Sequence, residues 1–348
     1  MIDQINRAYV LNLLQRLLSI PSPSGYCRQA MNLLEQEAGK LGVSFESLPK
    51  GGGVLTLPGQ SDEPIGLTAH VDTLGAMVRS IKASGRIRLS SIGGFAMNSI
   101  EGEYCTVHTR EGREYSGTIL TTSPSVHVYP DARDLKREEA NMEIRLDEKV
   151  GSKAETEALG IRPGDYISFD PRTRFLPNGW IKSRHLDDKA GVACLFGLLE
   201  WLSVNQKLPP RTVKIILSVY EEVGHGSSYI PEDIREFIAV DMGAIGDDLT
   251  CTEQDVSICA KDSTGPYDYD MTTKLIRLAE RERLNFAVDL YPFYGSDASA
   301  ALRGGSNIKA ALIGPGVQAS HAVERTHEKA LWNTIALLAA YIMEQPGS

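Results

Sequence analysis

The chain of 348 residues has no surplus of positive charge: 36 Lys and Arg stand against 45 Asp and Glu, a formal charge of −9. Without a basic stripe to displace counterions from phosphates, an extended nucleic-acid-binding surface is excluded. Cysteine is scarce and unpatterned. Cys27, Cys105, Cys194, Cys251 and Cys259 are odd in number, widely spaced and free of any C-x-x-C pair. This excludes a secreted-type disulfide framework and points to reduced thiols in an intracellular protein. Long apolar runs are missing too; none reaches the roughly 18 residues of a membrane span. The opening stretch is interrupted by Asp3, Arg7 and Arg16, with Leu11, Leu14, Leu17 and Leu18 at helical spacing, so an amphipathic first helix is expected rather than an export signal. The expected location is the cytoplasm. Internal repeats and low-complexity segments are also absent.

What is present is the balance of a soluble globular protein, 42% hydrophobic and 23% charged, at a length that suits about two domains. Residues 1–75 alternate helical and strand patterns: the opening helix, a helix over 29–41 and an apolar strand over 65–70. Over 76–177 the texture changes to short alternating segments separated by turn signals such as those at Gly85, Gly112 and Gly164. Helix and strand patterns return over 178–348, with helices expected at 189–202 and 328–343 and strands at 212–220, 237–240 and 308–313. The pattern predicts an α/β catalytic domain (1–75 and 178–348) interrupted by a small all-β insert (76–177).

Four of the apolar strands run into groups that bind metal ions. The first ends in His70 and Asp72, the second in Glu221 and Glu222, the third in Asp241, and the fourth shortly precedes His321. Ligands of open α/β sheets bind at the carboxyl ends of strands, so these groups can converge although they are far apart in sequence. Asp187 and Asp188, at the start of the 189–202 helix, join them. Adjacent carboxylates are usually solvated, but Glu221 and Glu222 directly follow VKIILSVY, an interior-type strand, and burying such a pair without a cation is very costly. His70, Asp187, Glu222, Asp241 and His321 make five candidate ligands, whereas one catalytic zinc usually takes three from the protein. If one carboxylate bridges, two divalent ions receive three each. Oxygen and imidazole donors suit zinc, cobalt or manganese. Asp72 is better placed to orient His70 than to bind metal, and Glu221 remains as the base for a metal-held water.

These stretches resemble the dinuclear metallo-aminopeptidases of the glutamyl aminopeptidase, deblocking and tetrahedral (TET) type. The matching segments are TAHVDTLG, HLDDKAGV, SVYEEVGHG, IAVDMG, FYGSDASA and ASHAVERTH, which occur in the family's order along nearly the whole chain. The resemblance implies a doubly wound mixed sheet flanked by helices, with a PDZ-like or barrel-like insert. It implies His70, Asp187 and Asp241 on one ion, Asp187, Glu222 and His321 on the other, and Glu221 as general base. Asp187 would bridge, and the peptide between Asp187 and Asp188 would be cis. A homo-oligomer, in the form of a tetrahedral shell of twelve subunits that admits short peptides, is implied as well. The chain departs from the family pattern at Thr73, where Glu is frequent, and in its last motif. There His327 is a rival to His321; Thr326 as the cap of the final helix would make His327 its first residue. The ERTHE segment is similar to a subgroup associated with synthesis of an acetylated glutamine-dipeptide osmolyte.

An aminopeptidase must read a free ammonium, and Glu221, Asp188 and Asp297 are the carboxylates expected beside it. The alternative is a two-metal deacylase acting on an N-acylated small molecule or blocked dipeptide. A non-catalytic scaffold ranks below both, because it leaves five candidate ligands and Glu221 without a purpose.

Overall fold

The structure, a computed structural model, describes residues 2–345. Its centre is a ten-stranded mixed sheet. In spatial order the longer strands are Ser44–Ser47, Gly53–Leu57, Val213–Ser218, Ile65–His70, Glu236–Val240, Lys309–Val317 and Val256–Asp262, with Phe286–Leu290 beyond; the two-residue strands Gly243–Ala244 and Gly265–Pro266 complete the ten. The middle four are parallel: Ser218 lies opposite His70, and Val240 opposite Ile313. Their carboxyl ends therefore emerge side by side along one edge. Antiparallel partners flank them on both sides.

Both faces of the sheet are covered, and the period-2 geometry of a strand divides its residues between them. Ile238, Val240, Ala311 and Ile313 pack into a core with the helices Arg7–Leu18, Arg28–Lys40, Leu186–Val204, Tyr269–Arg281 and Glu328–Ile342. Phe237, Ala239, Ala310 and Leu312 pack on the other face with Ala298 and Ala301 of the short helix Asp297–Arg303. The helix Leu186–Val204 is buried on every side through residue 202, which explains its nearly uniform apolar sequence. Its entry is irregular. His185 is left-handed (φ 69°), Asp187 and Asp188 depart from helical angles, and the peptide between the two aspartates is cis.

The all-β segment is a closed six-stranded antiparallel barrel formed by Gly75–Ile81, Ile87–Ile92, Tyr104–His108, Glu114–Thr121, Met142–Leu146 and Tyr166–Phe169. It has its own apolar core, including Val78, Leu89, Val107, Ile119, Ile144 and Ile167. The barrel strands end at Phe169. Arg174–Phe175 pairs instead with Trp180–Ser183, which pairs in turn with Glu324–His327.

That last pairing corrects the expected cap of the final helix. Thr326 lies within the strand, donating its hydroxyl to the Gly316 carbonyl, and His327 is the cap, its Nδ1 accepting from the Lys329 amide at 3.1 Å. Strand pairing with Trp180–Ser183 claims Thr326 before the helix can start. His327 Nε2 donates to the Asn178 carbonyl at 3.1 Å, which occupies both ring nitrogens.

Candidate metal centre

His70 ends the strand Ile65–His70 and is almost fully buried. Its Nδ1 lies 2.9 Å from the main-chain carbonyl of Asp72, a partner that can accept only a proton-bearing nitrogen, so Nε2 is left as the available donor atom. His321, left-handed at φ 65°, is held in the same way: its Nδ1 donates to the carbonyl of Gly94, in the chain of the barrel segment. Both imidazoles thus present Nε2 to a common space.

Asp187 stands between them. Its Oδ1 lies 3.0 Å from His70 Nε2 and its Oδ2 lies 3.3 Å from His321 Nε2. On the His321 side, a Glu222 oxygen approaches that imidazole to 3.4 Å; on the His70 side, Glu221 and Asp241 approach Nε2 to 3.9 and 4.0 Å. Two sets of donor atoms lie mutually within 4.8 Å: His70, Asp187 and Glu222, and His70, Glu221 and Asp241. Sequence reasoning leaves Glu221 outside the ligand set, but its carboxylate stands as near to His70 as that of Asp241.

The Asp72 carboxylate supports this arrangement from below. It accepts hydrogen bonds from Ser24 Oγ (2.5 Å) and from the amides of Glu221 (3.1 Å) and Glu222 (3.3 Å), with Oδ1 3.6 Å from His70 Nδ1. Asp72 therefore orients His70 chiefly through its carbonyl, and uses its carboxylate to fix the turn that carries the two glutamates.

Asp188 and Asp297 do not face the cleft. Asp188 accepts from the amides of His70 and Gly191. Asp297 accepts from the Ser227 amide at 2.7 Å and from the hydroxyls of Ser218 and Thr68. Both are buried, and neither lines the cleft of about 410 Å³ above the strand ends. Of the three carboxylates expected beside a substrate ammonium, only Glu221 lines it.

Glu324 enters the site without having been anticipated. Its buried carboxylate accepts from the Asp187 amide at 3.1 Å and the His321 amide at 3.2 Å. Its spacing of three residues after His321 was the available signal. Ser320, whose hydroxyl reaches Asp187 Oδ2 at 3.3 Å, and Tyr294, on the cleft wall, lie in the ASHAVERTH and FYGSDASA segments but were not singled out there.

So many buried acids hold protons when no cation is present. Burial raises the pKa of Asp241 to about 7, with Asp187 adding to the shift, and that of Glu324 to about 8 for the same two reasons. Glu221 and Glu222 are raised well above the usual carboxylate range, first by burial and then by neighbouring carboxylates. Against the depressing effect of burial, the hydrogen bond to Asp187 lifts His321 to about 10, and those to Asp187 and Asp72 lift His70 well above its ordinary value. Only Asp187, between two imidazoles, is lowered in spite of its burial. The cluster demands positive charge, and its nitrogen and carboxylate donors fit divalent ions.

Residues 51–337 match the family model described as M42 glutamyl aminopeptidase. YhfE of Bacillus subtilis (strain 168) is 49% identical over 334 residues, covering 95% of this chain and 96% of that protein. The aminopeptidase APDkam598 from the archaeon Desulfurococcus kamchatkensis shares the fold with a TM-score of 0.88 at 24% identity, over 97% of this chain and 95% of that one. So does the Pyrococcus horikoshii TET1 peptidase, which can assemble into a tetrahedron or a large octahedral shell, with a TM-score of 0.85 at 24% identity over 96% and 99% of the two chains. The extent of the family match and the near full-length likeness to YhfE lead to one conclusion: the chain belongs to the M42 glutamyl aminopeptidase family and is a metallopeptidase of the aminopeptidase class.

Proposed function

We propose that the protein hydrolyses the amino-terminal bond of short peptides at two divalent ions, zinc in the first place, with cobalt or manganese as alternatives. His70, Asp187 and Asp241 would hold one ion, and Asp187, Glu222 and His321 the other. The observation that carries this reading is the Asp187 carboxylate, whose two oxygens address two different imidazoles. A single-ion site has no use for that arrangement. When bound, such ions polarise the scissile carbonyl and make water a competent nucleophile near neutral pH.

Glu221 acts as the general base. Its carboxylate takes a proton from the attacking water and returns it to the leaving nitrogen. It is also the carboxylate that meets the substrate ammonium, since Asp188 and Asp297 are engaged elsewhere. The test is a pair of variants. Glu221→Gln lowers kcat by about 10²-fold or more with metal content retained, whereas Glu222→Gln loses metal first. The reverse pattern would exchange the two roles.

The same reading extends to assembly as a shell of twelve subunits. Two separate exposed apolar surfaces support it: Val126 and Val128 on the barrel segment, and Leu290 with Phe293 at and after the edge strand Phe286–Leu290. A closed shell needs two distinct contacts, which one barrel and one catalytic surface supply.

A further inference from the structure

His70 and His321 are held in different ways. His70 ends a strand paired on both sides, with Val213–Ser218 and with Glu236–Val240, so the sheet itself fixes its backbone. His321 lies in a loop closed at its base by the pairing of Gln318 with Arg325. Within that loop Ala319 and His321 are both left-handed (φ 60° and 65°), a conformation that residues with side chains keep only where their surroundings impose it. The position of His321 therefore depends on what grips the loop.

Arg184 is a buried cation beside it. The side chain is 3% exposed and comes three residues before Asp187. Its Nη1 donates to the carbonyl of Ala322, the residue after His321, at 3.4 Å. Its Nη2 donates to the carbonyl of Ser99, in the barrel segment, and lies 3.3 Å from the carboxylate of Glu103 in the same segment. Ser99 in turn reaches the His321 carbonyl with its hydroxyl. One guanidinium thus joins the turn that leads into Asp187, the His321 loop and the barrel segment. Arg184 does not line the cleft, so it acts on the site only through these neighbours.

For the fold alone this arrangement is a poor choice. The one ion-pair partner of Arg184 among the described residues, Glu103, is shared with Arg172 at 2.7 Å, and Nε has no acceptor among them. A buried charge so incompletely paired is commonly no more stabilising than an apolar side chain of similar size. Stability does not account for Arg184, whereas its hold on the His321 loop does.

We infer that Arg184 is a positioning residue for the second of the two proposed ions. By seating the His321 loop on the barrel segment, it sets the affinity of the site formed by Asp187, Glu222 and His321. The other site, with His70 and Asp241, is left to the sheet. The inference rests on the two-ion reading.

The test is calorimetric titration of the metal-stripped full-length protein with zinc. Wild type is expected to take up two ions in two steps, and His321→Ala identifies the step that belongs to the His321 side. Arg184→Met weakens that step by about 10–100-fold and leaves the other within about twofold, the scale on which outer supports of a metal site act. Arg184→Lys, which keeps a donor without the fork, falls between. Arg172→Met is the control: Arg172 shares Glu103 but makes no hydrogen bond to Ala322 or Ser99, and the variant should match wild type. Unchanged affinities in Arg184→Met would overturn the inference. So would equal weakening of both steps, which is what general loosening of the fold produces, or a loss of the same size in Arg172→Met. Should Arg184→Met fail to fold by circular dichroism, Arg184→Lys decides: a loss confined to the His321 step supports the inference, and any other pattern overturns it. A wild type that takes up a single ion would refute the two-ion reading and the inference with it, whereas two ions in wild type and in an unaltered Arg184→Met sink the inference alone.

Discussion

Glu324 fixes two of the proposed metal ligands through their backbones: one carboxylate accepts from the amides of Asp187 and His321. Glutamine in its place offers a single acceptor oxygen and turns an NH₂ group toward one of those amides. Glu324→Gln is expected to weaken metal affinity by about 10–100-fold, as removal of an outer support commonly does. Titration against a competing chelator measures it. Lys189 makes a second prediction. It is fully buried and donates to the carbonyls of Leu17 and Ile20. Burial lowers its pKa from 10.5 to about 7. Below about pH 7 the ammonium is charged in the folded and unfolded chains alike, and the cost of burying the charge is felt in full. Between pH 7 and 10.5 the folded chain releases the proton first, so stability rises with pH. Denaturant unfolding with saturating metal is expected to show that rise in wild type relative to Lys189→Met. At this scale, the convergence of His70, Glu222, Asp241 and His321 was legible because each lies at or shortly after the end of an apolar strand. Asp188 and Asp297 resemble their neighbours in sequence. Whether such a carboxylate faces the cleft or binds main-chain amides beneath it depends on the backbone path, which the sequence does not display.

The elements were easier to read than their ends. The strand at 65–70 has the bounds expected, because both its faces are buried and its apolar run is continuous. The helix expected from residue 189 starts at Leu186, since the irregular turn at Asp187 and Asp188 precedes its regular part. The strand expected to stop at residue 313 continues to Val317 through Gly314, Pro315 and Gly316. Glycine allows a close approach here: a Cβ on Gly314 would lie 1.6 Å from the Asp241 carbonyl oxygen. The close approach of the two strands sets the backbone of Asp241. Gly314→Ala is therefore expected to destabilise the fold by about 3 kcal/mol and to displace Asp241. A drop in Tm accompanied by reduced metal content would bear this out. A variant with normal stability and normal metal content would show that the strands can part without consequence.

In the whole molecule, the barrel does more than add an outer surface. Gly94, in its chain, accepts the proton of His321 Nδ1, and the Ser99 hydroxyl reaches the His321 carbonyl at 3.4 Å. An insert that was legible only as a change of texture thus helps to orient the imidazole of His321, a contact between residues more than 200 positions apart that local pattern cannot reveal. Assembly as a shell predicts a particle of about 456 kDa, twelve times the 38.0 kDa chain, by light scattering. Val128→Asp, at an exposed apolar position, is expected to yield smaller species with an unchanged circular dichroism spectrum. The central claim remains the pair of ions bridged by Asp187, and diffraction from metal-saturated crystals at the absorption edge of the added metal tests it most directly. The account predicts two anomalous peaks per subunit about 3.5–4 Å apart, one on either side of the Asp187 carboxylate. A single peak at full saturation, or two peaks with Asp187 bound to only one, would contradict it.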